Sequence, residues 1–237
     1  MSQNDKISEF YDEYVARQRR IGVNLRHQSI FQKVQNVGLK RNHNVLEVGC
    51  GIGTFTSLII PYIDEGSITA MDISPKSIEV AKHDYESSNV NFLAQDATAY
   101  DFKGELFDVI ILPDVLEHIP IDLHDGLFKK LSSVLTHDGF IFIHIPNPVY
   151  LEWCHKNKPE ILQVIDQPIT TDILVENTYK HGLFIEELKT YPIWVEHNDY
   201  QYIVLKKNNY QDFNRIIEYP PSFLDKVKHK LNAWRKK

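Results

Sequence analysis

The sequence predicts an α/β fold, a doubly wound and mostly parallel sheet of seven strands. Three observations carry this. From residue 44 onward, short apolar runs alternate with segments of helical period, the pattern of a parallel sheet covered on both faces. The first run, Asn44 to Val48, ends in glycines at 49, 51 and 53 and passes straight into a helical pattern, so it reads as strand, tight turn and helix start. Two strand-like runs close the core, at 183–195 and 200–205, and read as an antiparallel pair.

Taken in order, residues 1–40 form a helical lid of two helices broken near Ile21-Gly22. Phe10, Tyr11, Tyr14 and Val15 mark one apolar face, and Leu25, Ile30, Phe31 and Val34 the other. The core spans 41–207. Ser67 to Asp72 is its second strand, and Ser74-Pro75 then supplies an N-cap with proline at the first helical position. Val90 to Ala94 is the third strand. Phe107 to Pro113, nearly all apolar, is the central fourth. A helix over 122–135, a Thr-His-Asp-Gly turn and a strand from Phe140 to Ile145 follow. The stretch from about 146 to 172, with four prolines among aromatic and polar residues, reads as a substrate-side insertion carrying a short helix near 159–164. A helix over 171–181, stopped by Gly182, leads to the closing pair.

The glycine bend defines the chemistry. Gly49, Gly51 and Gly53 allow positive φ and remove the Cβ atoms that would hold a flat ligand off the backbone. Thr54 stands where a dinucleotide fingerprint needs its third glycine, and no Gly-Lys-Ser/Thr follows as a phosphate-cradling loop requires. Glu47, two residues before the first glycine, would repel a pyrophosphate but can take hydrogen bonds from a cationic amine. Asp72, at the carboxyl end of the second strand, is placed to accept from both hydroxyls of a ribose.

With Glu47 through Gly53 in view, the stretch resembles motif I of the class I S-adenosylmethionine (SAM)-dependent methyltransferases, and Asp114-Val-Leu-Glu-His-Ile119 is similar to the segment after strand four in members acting on small molecules. The closing antiparallel pair agrees with that family's sheet. The resemblance implies SAM as cofactor and S-adenosylhomocysteine (SAH) as product. It places Glu47, Gly49, Cys50, Gly51, Asp72 and Ile73 around the cofactor, Asp96 and Ala97 at its adenine, and the backbone of Leu112 and Pro113 at its reactive end. Gly22-Val-Asn-Leu-Arg26 is similar to the segment that sets an arginine on the methionine carboxylate in ubiquinone-biosynthesis O-methyltransferases, which makes Arg26 a cofactor ligand or else a solvated helix arginine. Tyr11 and Tyr14 either pack the lid or touch the cofactor.

Methyl transfer asks the protein for alignment and for control of the acceptor's proton. Histidine suits the second task at neutral pH. His118 after strand four, His144 near the end of strand five and His27 in the lid are the candidates. No metal is expected, because the paired Asp-Asn of metal-assisted catechol enzymes is absent. The expected acceptor is a small polar molecule methylated at oxygen: a sugar hydroxyl, a phosphorylated or carboxylated metabolite, or a quinol precursor. Nitrogen or carbon methylation of a lipid-linked or quinone acceptor at a membrane, and a non-catalytic SAM-binding module, are the alternatives.

Composition bounds the setting. The chain has 237 residues, 43% hydrophobic and 24% charged, with two cysteines and no apolar amino-terminal segment, which fits a reducing cytoplasm. Its net charge of −6 is uneven, since residues 222–237 carry +5 and leave −11 on the rest. That body argues against nucleic acid as a partner. The extension over 208–237 sets Phe223, Leu224, Val227, Leu231 and Trp234 on one face among lysines. It reads as a basic amphipathic helix for peripheral contact with the inner face of a membrane, for self-association, or for packing on its own domain.

Overall fold

A computed structural model of the chain describes residue 15 and residues 18–208. The first lid helix, with Tyr11 and Tyr14, and the carboxyl-terminal extension from 209 lie outside the described residues. Residues 18–21 are helical, and Gly22 breaks the lid with φ of +58°. Helix α1 (Leu25–Val37) restarts at Asn24, whose side chain accepts from the backbone N–H groups of Arg26 and His27, while Nδ1 of His27 accepts from the backbone of Asn24. This reciprocal cap satisfies donors that the helix start leaves open.

The sheet comprises β1 (Asn44–Val48), β2 (Ser67–Asp72), β3 (Val90–Ala94), β4 (Phe107–Pro113), β5 (Leu135–Pro146), β6 (Leu183–Tyr191) and β7 (Tyr200–Lys207). Their spatial order is β3-β2-β1-β4-β5-β7-β6, with β7 antiparallel to both neighbours and the other pairings parallel. Strand order reverses beside β1, the position at which open α/β sheets bind ligands beyond their strand carboxyl ends. Helices α2 (Thr56–Ile59), α3 (Pro75–Asp84) and α4 (Ile121–Val134) connect the parallel strands. One core, around Phe128, Leu131, Ile110 and Ile143, lies on one face of the sheet, and a second, around Ile30, Val45, Ile111 and Phe142, on the other. Alternate residues of β4 and β5 feed opposite cores, as the two-residue period of a strand requires.

The insertion differs from its expected form. Its helix is α5 (Pro148–Asn157), and only a single 3-10 turn stands at Pro159–Ile161. Asn147 caps α5 by accepting from Val149 N–H at 3.0 Å, and Pro148 is its first residue, so a proline that reads as a breaker is a starter here. Strand β5 also begins earlier than the apolar run. Leu135 pairs with Phe107 before a register shift, and Phe140 then pairs with Val109. Helix α6 (Thr171–Thr178) ends in a 3-10 turn at Gly182, whose φ is +72°.

Candidate active site

The bend after β1 is held by its neighbour strand. The N–H groups of Gly49 and Cys50 both donate to the Met71 carbonyl, at 2.8 and 2.9 Å. Gly49 has φ of +78°, and a Cβ there would lie 2.7 Å from Cβ of Val115, so the turn admits no side chain. The Asp72 carboxylate accepts from the N–H of Gly51 at 2.8 Å and of Ser74 at 2.9 Å, which fixes it at the cavity between the bend and the start of α3. Glu47 is wholly buried, and neither of its carboxyl oxygens has a hydrogen-bond partner. Burial pushes this carboxyl up to about 8; the Asp72 charge adds to the shift and the Thr56 hydroxyl opposes it. Asp96 Oδ1 accepts from both N–H and hydroxyl of Thr98, closing the turn after β3.

Asp114 is the hub of a buried polar network. It is a non-glycine residue at φ of +56°, a conformation costing on the order of 1 kcal/mol, and its N–H donates to the His144 carbonyl at 2.8 Å. The turn brings its carboxylate 3.0 Å from Nε of Arg26 and 2.6 Å from Nδ1 of His144. Nδ1 therefore carries the proton, and Nε2 accepts from the Tyr191 hydroxyl at 2.6 Å. Tyr200 stacks on the imidazole with ring centroids 4.9 Å apart, and its hydroxyl also meets Arg26. Burial alone would raise the Asp114 carboxyl, but Arg26 and His144 together outweigh it and hold the group down at about 2. Arg26 is correspondingly held well above its usual range, by Asp114 first.

Beyond β4 a 3-10 turn over Leu116–His118 presents two further groups. Nδ1 of His118 donates to the Ile165 carbonyl at 2.6 Å, with Oδ1 of Asp166 at 3.5 Å, and Nε2 accepts from the Gln163 side-chain amide at 3.0 Å. Burial lowers the pKa of His118, with Asp166 opposing, so the ring is neutral with its lone pair on Nε2. Glu117 is 2% exposed, its Oε1 lies 3.8 Å from that Nε2, and its Oε2 has no hydrogen-bond partner. Burial and the nearby Asp114 charge push its carboxyl well above the ordinary range.

A cavity of about 610 Å³ joins these parts, running from the glycine bend to the 3-10 turn and on to α5, residues 160–166 and Trp194. Such a volume suits a ligand of drug size or larger. Of the residues singled out from the sequence, it brings together Arg26, His27, Glu47, Gly49, Cys50 and Gly51, and with them Asp72, Ile73, Asp96, Ala97, Pro113 and His118. Leu112 and His144 are not on its wall. Leu112 belongs to the α4-side core, and the ring of His144 is fully buried with both nitrogens engaged. His27 reaches the wall, but its Nδ1 serves the α1 cap and its pKa falls to about 4, through burial and the charge of Arg26. The sequence did not single out Glu117 or Gln163, which also line the cavity, or the hub role of Asp114. Glu117 lay in plain sight inside Leu-Glu-His-Ile.

Fold and site together define a class. A glycine bend over an open cleft, an orphan acid behind it, an acid at the end of β2 and a sheet closed by the inverted β7 form the cofactor domain of the class I SAM-dependent methyltransferases, and SAM is its cofactor. Residues 45–139 match the family model described as "Methyltransferase domain", and the chain carries a domain of this family. It is 34% identical over 117 residues to malonyl-[acyl-carrier protein] O-methyltransferase 1 of Ilyobacter polytropus, covering 48% of this chain and 42% of that one. It is 26% identical over 153 residues to a ubiquinone biosynthesis O-methyltransferase of Coxiella burnetii (64% and 60% covered), and 34% identical over 147 residues to nodulation protein S of Sinorhizobium fredii (61% and 66%). The matched stretch thus spans less than two thirds of each relative's length. The N-methyltransferase NodS of Bradyrhizobium japonicum, in complex with SAH, shares the fold with a TM-score of 0.64 at 19% identity, over 84% of this chain and all of that one.

Proposed function

We propose that the chain transfers a methyl group from SAM to an N–H or O–H nucleophile on a small polar molecule. The observation that carries this is one cavity lined by the glycine bend, by Asp72 and by His118, whose Nε2 is the unprotonated ring nitrogen and accepts from Gln163. When bound, SAM supplies a methyl group on a sulfonium that leaves as a neutral thioether. The chain's own part is positional and acid–base. Asp72 takes the ribose hydroxyls, Glu47 the cationic amine and Arg26 the carboxylate. His118, its Nδ1–H anchored on the Ile165 carbonyl, takes the acceptor's proton at Nε2, and Asp166 steadies the imidazolium that results.

The sequence alone favours an oxygen acceptor; the acids around His118 favour nitrogen. A cytoplasmic setting is part of the proposal and is supported by two buried free cysteines. Among the described residues no helix is long and apolar enough to cross a membrane. Equilibrium dialysis with SAM and SAH tests the cofactor role, and its failure removes the reading. His118→Gln should lower turnover by about 10²-fold or more while SAM affinity holds; unchanged turnover would assign the proton to another group, and no turnover in either protein would mark a non-catalytic SAM-binding module.

A further inference from the structure

We infer that the acceptor's reacting atom is an amine nitrogen, received as an ammonium, and that Glu117 selects it. The inference deepens the methyl-transfer reading and rests on it.

The first support is charge. Seven acids, Asp114, Glu117, Glu160, Asp166, Glu47, Asp72 and Asp96, line the cavity. Among the described residues on its wall, Arg26 is the sole lysine or arginine, and Asp114 already holds it at 3.0 Å. Burial keeps His27 and His118 neutral. A phosphate or carboxylate on the acceptor would meet these acids with no cation left to pair with it, an arrangement that rejects anions.

The second support is the count of donors and acceptors. Nε2 of His118 and the two oxygens of Glu117 converge on one region, with Oε1 3.8 Å from Nε2 and Oε2 lacking any hydrogen-bond partner at 2% exposure. An ionised Glu117 and an unprotonated Nε2 are both acceptors. One atom serving both must carry at least two donors; an amine nitrogen does, and a hydroxyl has one. The chain already satisfies part of this demand with a nitrogen of its own. Because Nδ1–H of His118 goes to a carbonyl, only the NH₂ end of Gln163 can donate to Nε2, which it does at 3.0 Å. Gln163 thus occupies the place an acceptor amine would take.

The balance of the step follows. Glu117 releases its proton to solvent as the entering ammonium pairs with its carboxylate, and the ammonium gives one proton to Nε2 of His118. The nitrogen lone pair then forms the N–C bond as the methyl–sulfur bond breaks and the sulfonium charge is neutralised. The product leaves as an N-methylammonium ion, and the proton on His118 passes to solvent.

Ile21, Ile161 and Trp194 line the same cavity while exposing 48%, 56% and 54% of their surface, so its mouth accepts an alkyl chain. The test uses that mouth. The full chain, loaded with SAH, is titrated by calorimetry with hexylamine, hexanol and hexanoate at pH 7. The inference expects hexylamine to bind about tenfold or more tighter than either of the others. Glu117→Gln should lose that preference while SAH affinity changes less than about twofold, which also shows that the variant is folded. Hexanol or hexanoate binding as well as hexylamine, no preference at all, or a preference that survives Glu117→Gln would overturn the inference and leave the methyl-transfer reading standing. Failure of SAH to bind would instead remove that reading, and this inference with it.

Discussion

Replacing Glu47 by glutamine should make the ligand-free protein more stable at neutral pH and worse at holding its cofactor. The side chain is completely buried with no partner for either oxygen, and its carboxyl stays protonated up to about 8, against 4.5 in the unfolded chain. The sign follows from proton counting. Between those two values the folded state binds more protons than the unfolded one, so stability falls as pH rises, by up to about 1.4 kcal/mol per pH unit. Between pH 5 and pH 8 this amounts to about 3 to 4 kcal/mol, or roughly 10 °C in Tm for a domain of this size. Glutamine cannot ionise, so its melting temperature should lack this decline. Thermal melts of both proteins at pH 5, 6, 7 and 8 measure the difference, and parallel curves would refute the argument. The same residue predicts a calorimetric signature. If Glu47 ionises to pair with the amine of SAM, binding at pH 7 should release close to one proton in the wild type and markedly less in Glu47→Gln, measured in buffers of different ionisation enthalpy.

Three further outcomes follow from the structure. Asp114→Asn keeps a residue that tolerates left-handed φ but leaves Arg26 as an uncompensated buried cation, so it should cost about 3 kcal/mol, or roughly 6 to 12 °C in Tm; Arg26→Met in the same background should restore part of it, and simple additivity in that double-mutant cycle would break the network account. Gly49→Ala forces a side chain to φ of +78° and a Cβ to within 2.5 Å of Cγ2 of Val115, so urea melts should show a loss of about 2 kcal/mol or more, and SAM affinity should fall with it. Deleting residues 222–237 should reduce co-sedimentation with anionic vesicles if the basic extension docks on a membrane; unchanged partition with a smaller sedimentation coefficient would point to self-association instead.

How legible the fold was depends on what each segment shares with its neighbours. The limits of β2, β3 and β4 could be read because each is a largely apolar run ended by an acid or a turn residue; in β4, central and covered on both faces, the run is nearly unbroken, whereas the edge strand β3 buries only Phe92. Helix α5 could not, since Pro146 and Pro148 mask a start that Asn147 and Pro148 together specify. The early start of β5 depends on Leu135 finding Phe107, a pairing that no local pattern encodes. In the site, Glu47, the glycines and Asp72 were legible because their spacing along β1 and β2 is itself the geometry. His144 also had the right position along its strand, but strand alternation turns its ring toward Tyr191 and Tyr200 and away from the cavity. The partners of Asp114, 88 residues back at Arg26 and 30 ahead at His144, meet only once the lid helix lies across the sheet.

The three buried acids of this cavity divide by what the chain gives them. Asp114 has a guanidinium and an imidazole within 3.0 Å and is held at about 2, so it is spent on structure. Glu47 and Glu117 have no partner for three of their four oxygens and are both pushed upward, so the folded chain keeps them as acids that have not yet given up their protons. A fold that spends a cation on one acid and withholds it from two others is poised for cations that arrive from outside. Both orphan acids line the same cavity, so each would meet a positively charged ligand there and release a proton as that ligand binds. Two separate proton releases, one abolished by Glu47→Gln and the other by Glu117→Gln, are what this division of roles requires; a single release shared between the variants would mean that the two acids serve one ligand.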